Sequence, residues 1–263
     1  MNKLIFSLII LIAAPAWSLD INEIMEKTHI NAYYQGEDGK SQVLMKVFAK
    51  GSDKPIKKLF YMLRFDKKDG GEQMFFTYFI KPTDIRRTTF LVHKKINEDD
   101  YRRLYIPASD KVLAIAGSRK QDPFMGGDFT YEDVSGRHFS KDKHKLLQED
   151  KLGGQEVYVT ESTPKVKEDK IKSIKAWISK KDLIPLKVEY TNHDNKVYRR
   201  YQSEKIIDIQ GFKTITRRVM TSLLDGTKTE MLMNPKKTQY NIGLKESDFS
   251  ERTLKNPPMK YLK

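Results

Sequence analysis

Short segments rich in β-branched and aromatic residues follow one another along most of this chain, with tight-turn sequences between them. The candidate strands are residues 41–49, 56–66, 72–81, 86–93, 101–106, 143–150, 155–163, 170–179, 184–190, 196–208, 212–223 and 227–233. Turns are marked by Gly51-Ser52-Asp53, Asp69-Gly70-Gly71, Gly153-Gly154, His193-Asp194-Asn195 and Asp225-Gly226. Because tight turns make sequence neighbours pair as hairpins, the pattern predicts a meandering antiparallel sheet.

Several of these strands are apolar on both faces, most clearly residues 74–80. An antiparallel strand with one face in water alternates apolar and polar residues, so a strand without alternation needs cover on both sides. One cover is a predicted helix over residues 20–34, which begins with a capping box formed by Asp20 and Glu23. The other cover is either a bound apolar molecule or a second sheet, and the sequence leaves both open.

Residues 107–140 break the rhythm of strands and turns, and we expect them to form a lid over one end of the sheet. Residues 108–120 fit a short helix or a loop, and residues 128–134 fit a helical turn with Asp128 as its N-cap. The basic tail after residue 258 is predicted to be loosely held.

The first residues have the pattern of a secretory signal. Lys3 precedes an apolar run from Leu4 to Ala14, and small residues at 16 and 18 precede the expected cleavage site after Ser18. The run is short for a membrane span, which needs about 20 residues. We therefore expect residues 1–18 to be a cleaved signal peptide and residues 19–263 to form a single domain in the periplasm.

Composition narrows the classes of function further. The chain has no cysteine, which excludes disulfides, thiolate metal sites, a cysteine nucleophile and a lipid-accepting cysteine. It has 49 basic and 35 acidic residues, a net charge of +14 that favours anionic partners such as a membrane surface. The charge is spread along the chain, as on an ordinary solvated surface, and the export signal argues against nucleic acid.

Several strings resemble a family of exported proteins, the LolA-like outer-membrane lipoprotein-sorting proteins. They are Lys81-Pro82-Thr83-Asp84-Ile85-Arg86, Thr89-Phe90-Leu91, Leu104-Tyr105-Ile106-Pro107, residues 124–133 (FMGGDFTYED), Tyr198-Arg199-Arg200-Tyr201 and residues 249–254 (FSERTL). The resemblance implies an α+β fold, an unclosed antiparallel β-barrel whose strongly curved sheet has helices plugging its concave face. It also implies a cavity for acyl chains and pairing with a membrane transporter. This chain departs from the family's pattern at Arg87, where glycine is usual, and at Gly127, where serine is commoner.

The candidate ligand-binding residues are apolar side chains of the predicted strands. Those expected to line a cavity are Phe76, Tyr78, Phe90, Tyr105, Met231 and Met233, and plain core packing is the alternative for each of them. For the lid and its latch we expect Arg86, Phe124 and Met125, with Arg86 donating hydrogen bonds from a buried guanidinium. The alternative for Arg86 is a turn with a local ion pair.

No constellation in the sequence predicts catalysis, a metal site or a cofactor. His138 and His144 match no zinc spacing, and Asp128, Glu132 and Asp133 fit a helix cap and ion pairs with Arg119 or Arg137. The residues and the resemblance together predict a monomeric, non-enzymatic carrier of lipid or lipoprotein acyl chains. The alternative is a ligand-sensing or protein-interaction module that docks on an envelope transporter.

Overall fold

The computed structural model of the protein describes residues 19–262, so the predicted signal peptide lies outside the described residues. The helices are α1 (Ile21–Tyr33), α2 (Tyr131–Ser135) and α3 (Glu251–Lys255). The strands are β1 (Asp38–Phe48), β2 (Ile56–Asp66), β3 (Gln73–Lys81), β4 (Thr89–Lys94), β5 (Tyr101–Ile106), β6 (Lys111–Ala114), β7 (Asp142–Leu152), β8 (Gln155–Pro164), β9 (Ser173–Ser179), β10 (Pro185–Thr191), β11 (Val197–Ile209), β12 (Phe212–Ser222), β13 (Lys228–Met233) and β14 (Gln239–Tyr240). No helix among these residues has both the length and the apolarity to cross a bilayer.

The strands form one continuous antiparallel sheet in the order β6-β5-β4-β3-β2-β1-β13-β12-β11-β10-β9-β8-β7, with β14 paired to β1. It consists of two sequential meanders, which meet where Val43 of β1 stands opposite Met233 of β13. The two edge strands, β6 and β7, are not joined by any strand pairing among the described residues. The predicted fold class, an unclosed and strongly curved antiparallel barrel of the α+β class, is therefore confirmed.

Every predicted strand is present, but β6 was missed. Its sequence, Lys111 to Ala114, was expected to belong to a short helix or a loop. All four of its side chains are exposed, so the strand lacks the apolar alternation that marks a buried one. It exists because its main chain continues the ladder from β5, with Leu104 opposite Leu113.

Helix α1 begins as predicted, at the N-cap Asp20, whose carboxylate accepts a hydrogen bond from the main-chain N–H of Asn22. Ile24, Thr28 and Ala32 are buried at a spacing of four residues and face the sheet. The side chain of Gln73 on β3 donates to the carbonyl of Tyr33 at 3.0 Å. The helix therefore covers the concave face, near the line where the two meanders meet.

Residues 107–141, which we call the lid, plug the concave face of the first meander. Phe124 is fully buried at the centre of an aromatic group, with ring centroids 5.6 Å from Phe90, 5.7 Å from Tyr131 and 6.0 Å from Phe79. The surrounding core contains Val43, Met45, Phe60, Phe75, Val92, Leu104, Ile115 and Val134. This half of the barrel is thus filled by its own side chains.

The opposite, convex face of the first meander is covered by residues 242–262. Leu244, Phe249, Leu254 and Leu262 pack in a second apolar cluster against strands β2 to β4. The crossing is anchored by Asp38, whose carboxylate accepts hydrogen bonds from three successive main-chain N–H groups, those of residues 242–244. The prediction of a loosely held tail was wrong, because the two-faced strands of this meander need cover on this side as well.

Candidate functional site

The concave face of the second meander is less completely filled than that of the first. A cavity of about 130 Å³ lies between α1 and strands β7 to β10. Its apolar walls are formed by Met25 and Ala32 of α1, Ile174 and Ile178 of β9, and Val188 of β10. We call this cavity the α1 groove.

Two smaller cavities continue the α1 groove along the underside of the helix. Each has a volume of about 60 Å³, and Ala32 and Tyr33 line all three spaces. The first also contacts Met220 of β12, and the second contacts Met233 of β13. An apolar path therefore runs beneath α1 from β9 to the junction of the two meanders, interrupted only by side chains.

A buried ion pair stands in the wall of this path. Arg199 of β11 donates to the carboxylate of Asp133 at 2.6 Å, and its guanidinium lies 3.9 Å from the ring centroid of Tyr190. Burial opposes the charge of Arg199, but Asp133 outweighs that effect and raises the pKa of the guanidinium. Asp133 also accepts from the main-chain N–H of Thr130 and so completes the capping box of α2. The pair thereby ties the lid to the second meander.

A second arginine, Arg137, is surrounded by carboxylates. It lies 2.8 Å from Asp142, 2.9 Å from Glu168 and 3.3 Å from Glu132. Burial disfavours the charge on Glu132, but Arg137 and Lys120 overcome this and lower its pKa. The network fixes the end of the lid, so that the position of Arg137 beside the α1 groove is determined by three separate segments of chain.

Lys94, at the end of β4, is 1% exposed and lies against α1. Its Nζ is 3.2 Å from His29 Nε2 and 5.4 Å from the ring centroid of Tyr33. Burial lowers the pKa of Lys94 to about 7, and it also lowers the pKa of His29 well below its ordinary value. Neutral forms of both groups are therefore favoured at the base of the helix.

The carboxylates considered in the sequence have structural partners. Asp128 is not an N-cap, because α2 starts at Thr130, and it accepts hydrogen bonds from the hydroxyls of Thr227 and Thr229. Glu132 pairs with Arg137 as one of the two predicted alternatives, whereas Asp133 pairs with Arg199. Sequence reasoning missed Arg199 because its partner lies 66 residues away along the chain.

Of the predicted cavity-lining residues, three lie on the concave face. Phe90 is fully buried beneath Phe124, and Met231 packs against the same cluster. Met233 contacts one of the small cavities beneath α1. The sequence analysis did not identify β9 and β10, whose side chains form most of the sheet wall of the α1 groove.

The other three, Phe76, Tyr78 and Tyr105, lie on the convex face under residues 242–262. Phe76 is fully buried there, and the hydroxyl of Tyr105 donates to Asp110 at 3.0 Å. Because successive side chains of a strand point to opposite faces, Phe75 rather than Phe76 belongs to the concave core. The structure thus does not bring the six predicted residues together.

The predicted lid residues differ in their placement. Phe124 is the buried centre of the lid, and the carbonyl of Met125 accepts a hydrogen bond from Lys58 Nζ at 2.6 Å. Arg86 is exposed, and its guanidinium has no hydrogen bond or ion pair with any residue in the range 19–262. The predicted buried latch at Arg86 is therefore corrected: the basic side chain that holds the tip of the lid is Lys58.

A family model described as that of an uncharacterised protein matches residues 71–256, more than half of the chain. The structure of a putative outer membrane lipoprotein-sorting protein domain from Vibrio parahaemolyticus superposes with a TM-score of 0.81, at 26% identity over 89% of this chain and 97% of that one. The chain belongs to the LolA-like family. A DUF1329 family protein from Desulfovibrio piger has the same fold, with a TM-score of 0.80 at 23% identity over 88% of this chain and 97% of that one. No curated protein matches the chain.

A LolA superfamily protein from Nitrosomonas europaea shares the fold at 15% identity, with a TM-score of 0.69 over 89% of this chain and 99% of that one. In this LolA-like chain, Arg87 stands where the resemblance predicts glycine, and its φ of 69° is in the left-handed region. Glycine adopts that conformation without steric cost, which accounts for the usual residue at this position. The main-chain N–H of Arg87 nevertheless donates to the carbonyl of Phe79 at 2.8 Å, so the turn keeps its pairing.

Proposed function

We propose that the protein is a periplasmic carrier that shields the acyl chains of a lipid or lipoprotein from water during transfer across the envelope. In this proposal residues 1–18 direct export and residues 19–263 act as one carrier domain. The observation that carries it is the apolar path beneath α1, formed by the α1 groove and the two smaller cavities that share Ala32 and Tyr33 with it.

The volumes describe a closed form. The α1 groove, at about 130 Å³, is similar to a cavity of about 150 Å³ that binds benzene, so it accommodates the end of a chain and not a whole acyl group. Each methylene moved from water into an apolar site contributes about 0.8 kcal/mol. Binding a full chain therefore requires the spaces under α1 to be united by an outward movement of the helix.

Few polar contacts hold α1 in place. Asn31 donates to the carbonyl of Asp182 at 2.9 Å, and the hydroxyl of Tyr34 donates to the carbonyl of Gly71 at 2.6 Å. The remaining attachment is apolar, through Ile24 against Ala176 and Ile178. An acyl chain can replace apolar contacts of this kind, so ligand binding and helix displacement compensate each other.

The direct test is lipid extraction of the gently purified protein, followed by mass spectrometry. We expect a co-purified lipid in stoichiometric amount, and Val188→Trp, which fills the α1 groove, should remove it. Val112→Trp is the matched control, because Val112 is 40% exposed on β6 and lies outside the groove. Extraction without any lipid, together with a stable complex with a membrane protein, would support the sensing module instead.

A further inference from the structure

An open cleft of about 540 Å³ lies at the unsealed side of the barrel, outside the α1 groove. Its walls come from residues 96–99 and 117–121, next to strands β4 to β6, and from residues 137–141 and 165–170, next to strands β7 and β8. The cleft therefore bridges the two ends of the sheet, where the concave side is accessible from solvent. We call it the seam cleft.

Three lysines on one wall of the seam cleft have no acidic partner. Lys141 and Lys165 are adjacent, since the main-chain N–H of Lys165 donates to the carbonyl of Lys141 at 2.9 Å, and Lys167 follows on the same loop. None of the three forms an ion pair with a carboxylate in residues 19–262. Adjacent ammonium groups without counter-charges repel one another, and an anion between them relieves that repulsion.

The acidic residues of the seam cleft restrict the size of such an anion. Glu168 is already neutralised, at 2.6 Å from Lys120 and 2.9 Å from Arg137. Glu98 and Asp99 line the segment that faces the lysine loop, and Asp169 lies beyond Glu168. Carboxylates in these positions repel a polyanion, so the lysines suit a single phosphate rather than a nucleic acid or a multiply phosphorylated glycolipid.

The seam cleft and the α1 groove are separated by one turn of chain. Phe139 lines the groove, whereas the next two residues, Ser140 and Lys141, line the cleft. Arg137 lines both, binding Glu168 on the cleft side and Asp142 on the groove side. A charged site and an apolar site thus lie side by side, as the two parts of an amphipathic ligand require.

We propose that the seam cleft binds the phosphate of a glycerophospholipid whose acyl chain enters the α1 groove. This inference rests on the proposed carrier function and specifies its cargo. The diacylglyceryl anchor of a lipoprotein is attached through a thioether and has no phosphate, so the lysine cluster selects a phospholipid over a lipoprotein.

Calorimetric titration with two short lipids, each soluble as a monomer, tests the cargo. The phosphate-bearing probe is dihexanoyl phosphatidylglycerol, and its neutral counterpart is dihexanoylglycerol. Because hydrogen bonds between charged groups are stronger than neutral ones, the protein should bind the first at least about tenfold more tightly. The triple variant Lys141→Gln/Lys165→Gln/Lys167→Gln should lose that preference and keep its affinity for dihexanoylglycerol, which also reports that its groove is folded.

The matched control is Lys57→Gln/Lys151→Gln/Lys205→Gln, which removes the same charge from three exposed lysines outside the cleft. It should keep the preference for the phosphate-bearing lipid. Equal binding of both lipids by the unaltered protein, or a preference that survives in the cleft variant, overturns the phosphate site and leaves the carrier function standing. Failure to bind either lipid overturns the carrier function and this inference together. Inorganic phosphate is titrated separately, and binding as tight as that of the lipid would identify a site for the free ion.

Discussion

Lys58 Nζ donates a hydrogen bond to the main-chain carbonyl of Met125, and this bond joins β2 to the tip of the lid. Burial lowers the pKa of Lys58, and the nearby Asp84 opposes that effect. Met125 itself has a φ of 50°, so its carbonyl reaches the lysine from a left-handed turn between two residues of the aromatic plug. The contact is a specific attachment of the lid that a single substitution can remove.

Lys58→Met should loosen the lid without disturbing the sheet. A hydrogen bond from a charged group that is half in solvent contributes about 1 kcal/mol, so the melting temperature should fall by a few degrees. The diagnostic change is faster amide hydrogen exchange at residues 124–127, measured by mass spectrometry. Lys57→Met, on the exposed side of the same strand, is the control and should leave that exchange unchanged.

Phe124→Ala should open a cavity inside the first meander. Phe124 is fully buried among aromatic rings, so its truncation should lower the free energy of unfolding by about 3–5 kcal/mol. A cavity lined by Phe60, Phe79 and Phe90 is apolar and should admit benzene. Urea titrations with and without benzene measure both effects, and a variant that benzene does not stabilise would mean that the lid collapses into the space.

Arg87→Gly should stabilise the protein by about 0.5–1 kcal/mol. Arg87 has a positive φ, which is strained for a residue with a Cβ, and glycine relieves that strain at a smaller entropic cost. Arg86→Gly is a matched control, because Arg86 has a φ of −57° and gains nothing from glycine. Urea unfolding of both variants gives the comparison, and a loss of stability in Arg87→Gly would show that its side chain makes a contact that outweighs the strain.

Lys94 makes stability depend on pH above neutrality. Its pKa is about 7 in the folded protein and 10.5 in a model compound, so between these values the unfolded chain binds a proton that the folded protein does not. The free energy of unfolding therefore rises with pH across this window, and the cost of burying the charged lysine is complete below about pH 7. Between pH 7.5 and 9.5 the unaltered protein should gain on the order of 2 kcal/mol relative to Lys94→Met. Parallel pH profiles for the two proteins would contradict the neutral buried lysine.

The sequence predicted the elements of the fold better than the faces of its strands. Turn residues and apolar runs located the strands, and Asp20 located the start of α1, because these signals are local. Phe75 and Phe76 look equivalent in sequence, since residues 74–80 are apolar on both faces. Only the three-dimensional cover, the lid on one side and residues 242–262 on the other, distinguishes the concave residue from the convex one.

The candidate site was harder to predict than the fold for a related reason. Strand β10 is half-buried at every position, so its sequence shows no clear apolar side, yet Val188 and Tyr190 line the α1 groove. The pairing of Arg199 with Asp133 and the burial of Lys94 depend on contacts between distant segments. The resemblance supplied the correct kind of fold, but the position of its latch, Arg86, did not carry over to this chain.

The junction of β1 with β13 also determines the order in which the barrel can assemble. The hairpins of each meander are local and can form as soon as their strands are available, whereas β1 must wait for a partner some 190 residues later, Val43 for Met233. Until then the chain carries an unpaired strand edge, which is a template for association between chains. A holdase that occupies this edge, or slow release of the C-terminal third from the translocation machinery, would therefore influence the yield of folded protein more than any single contact within the lid.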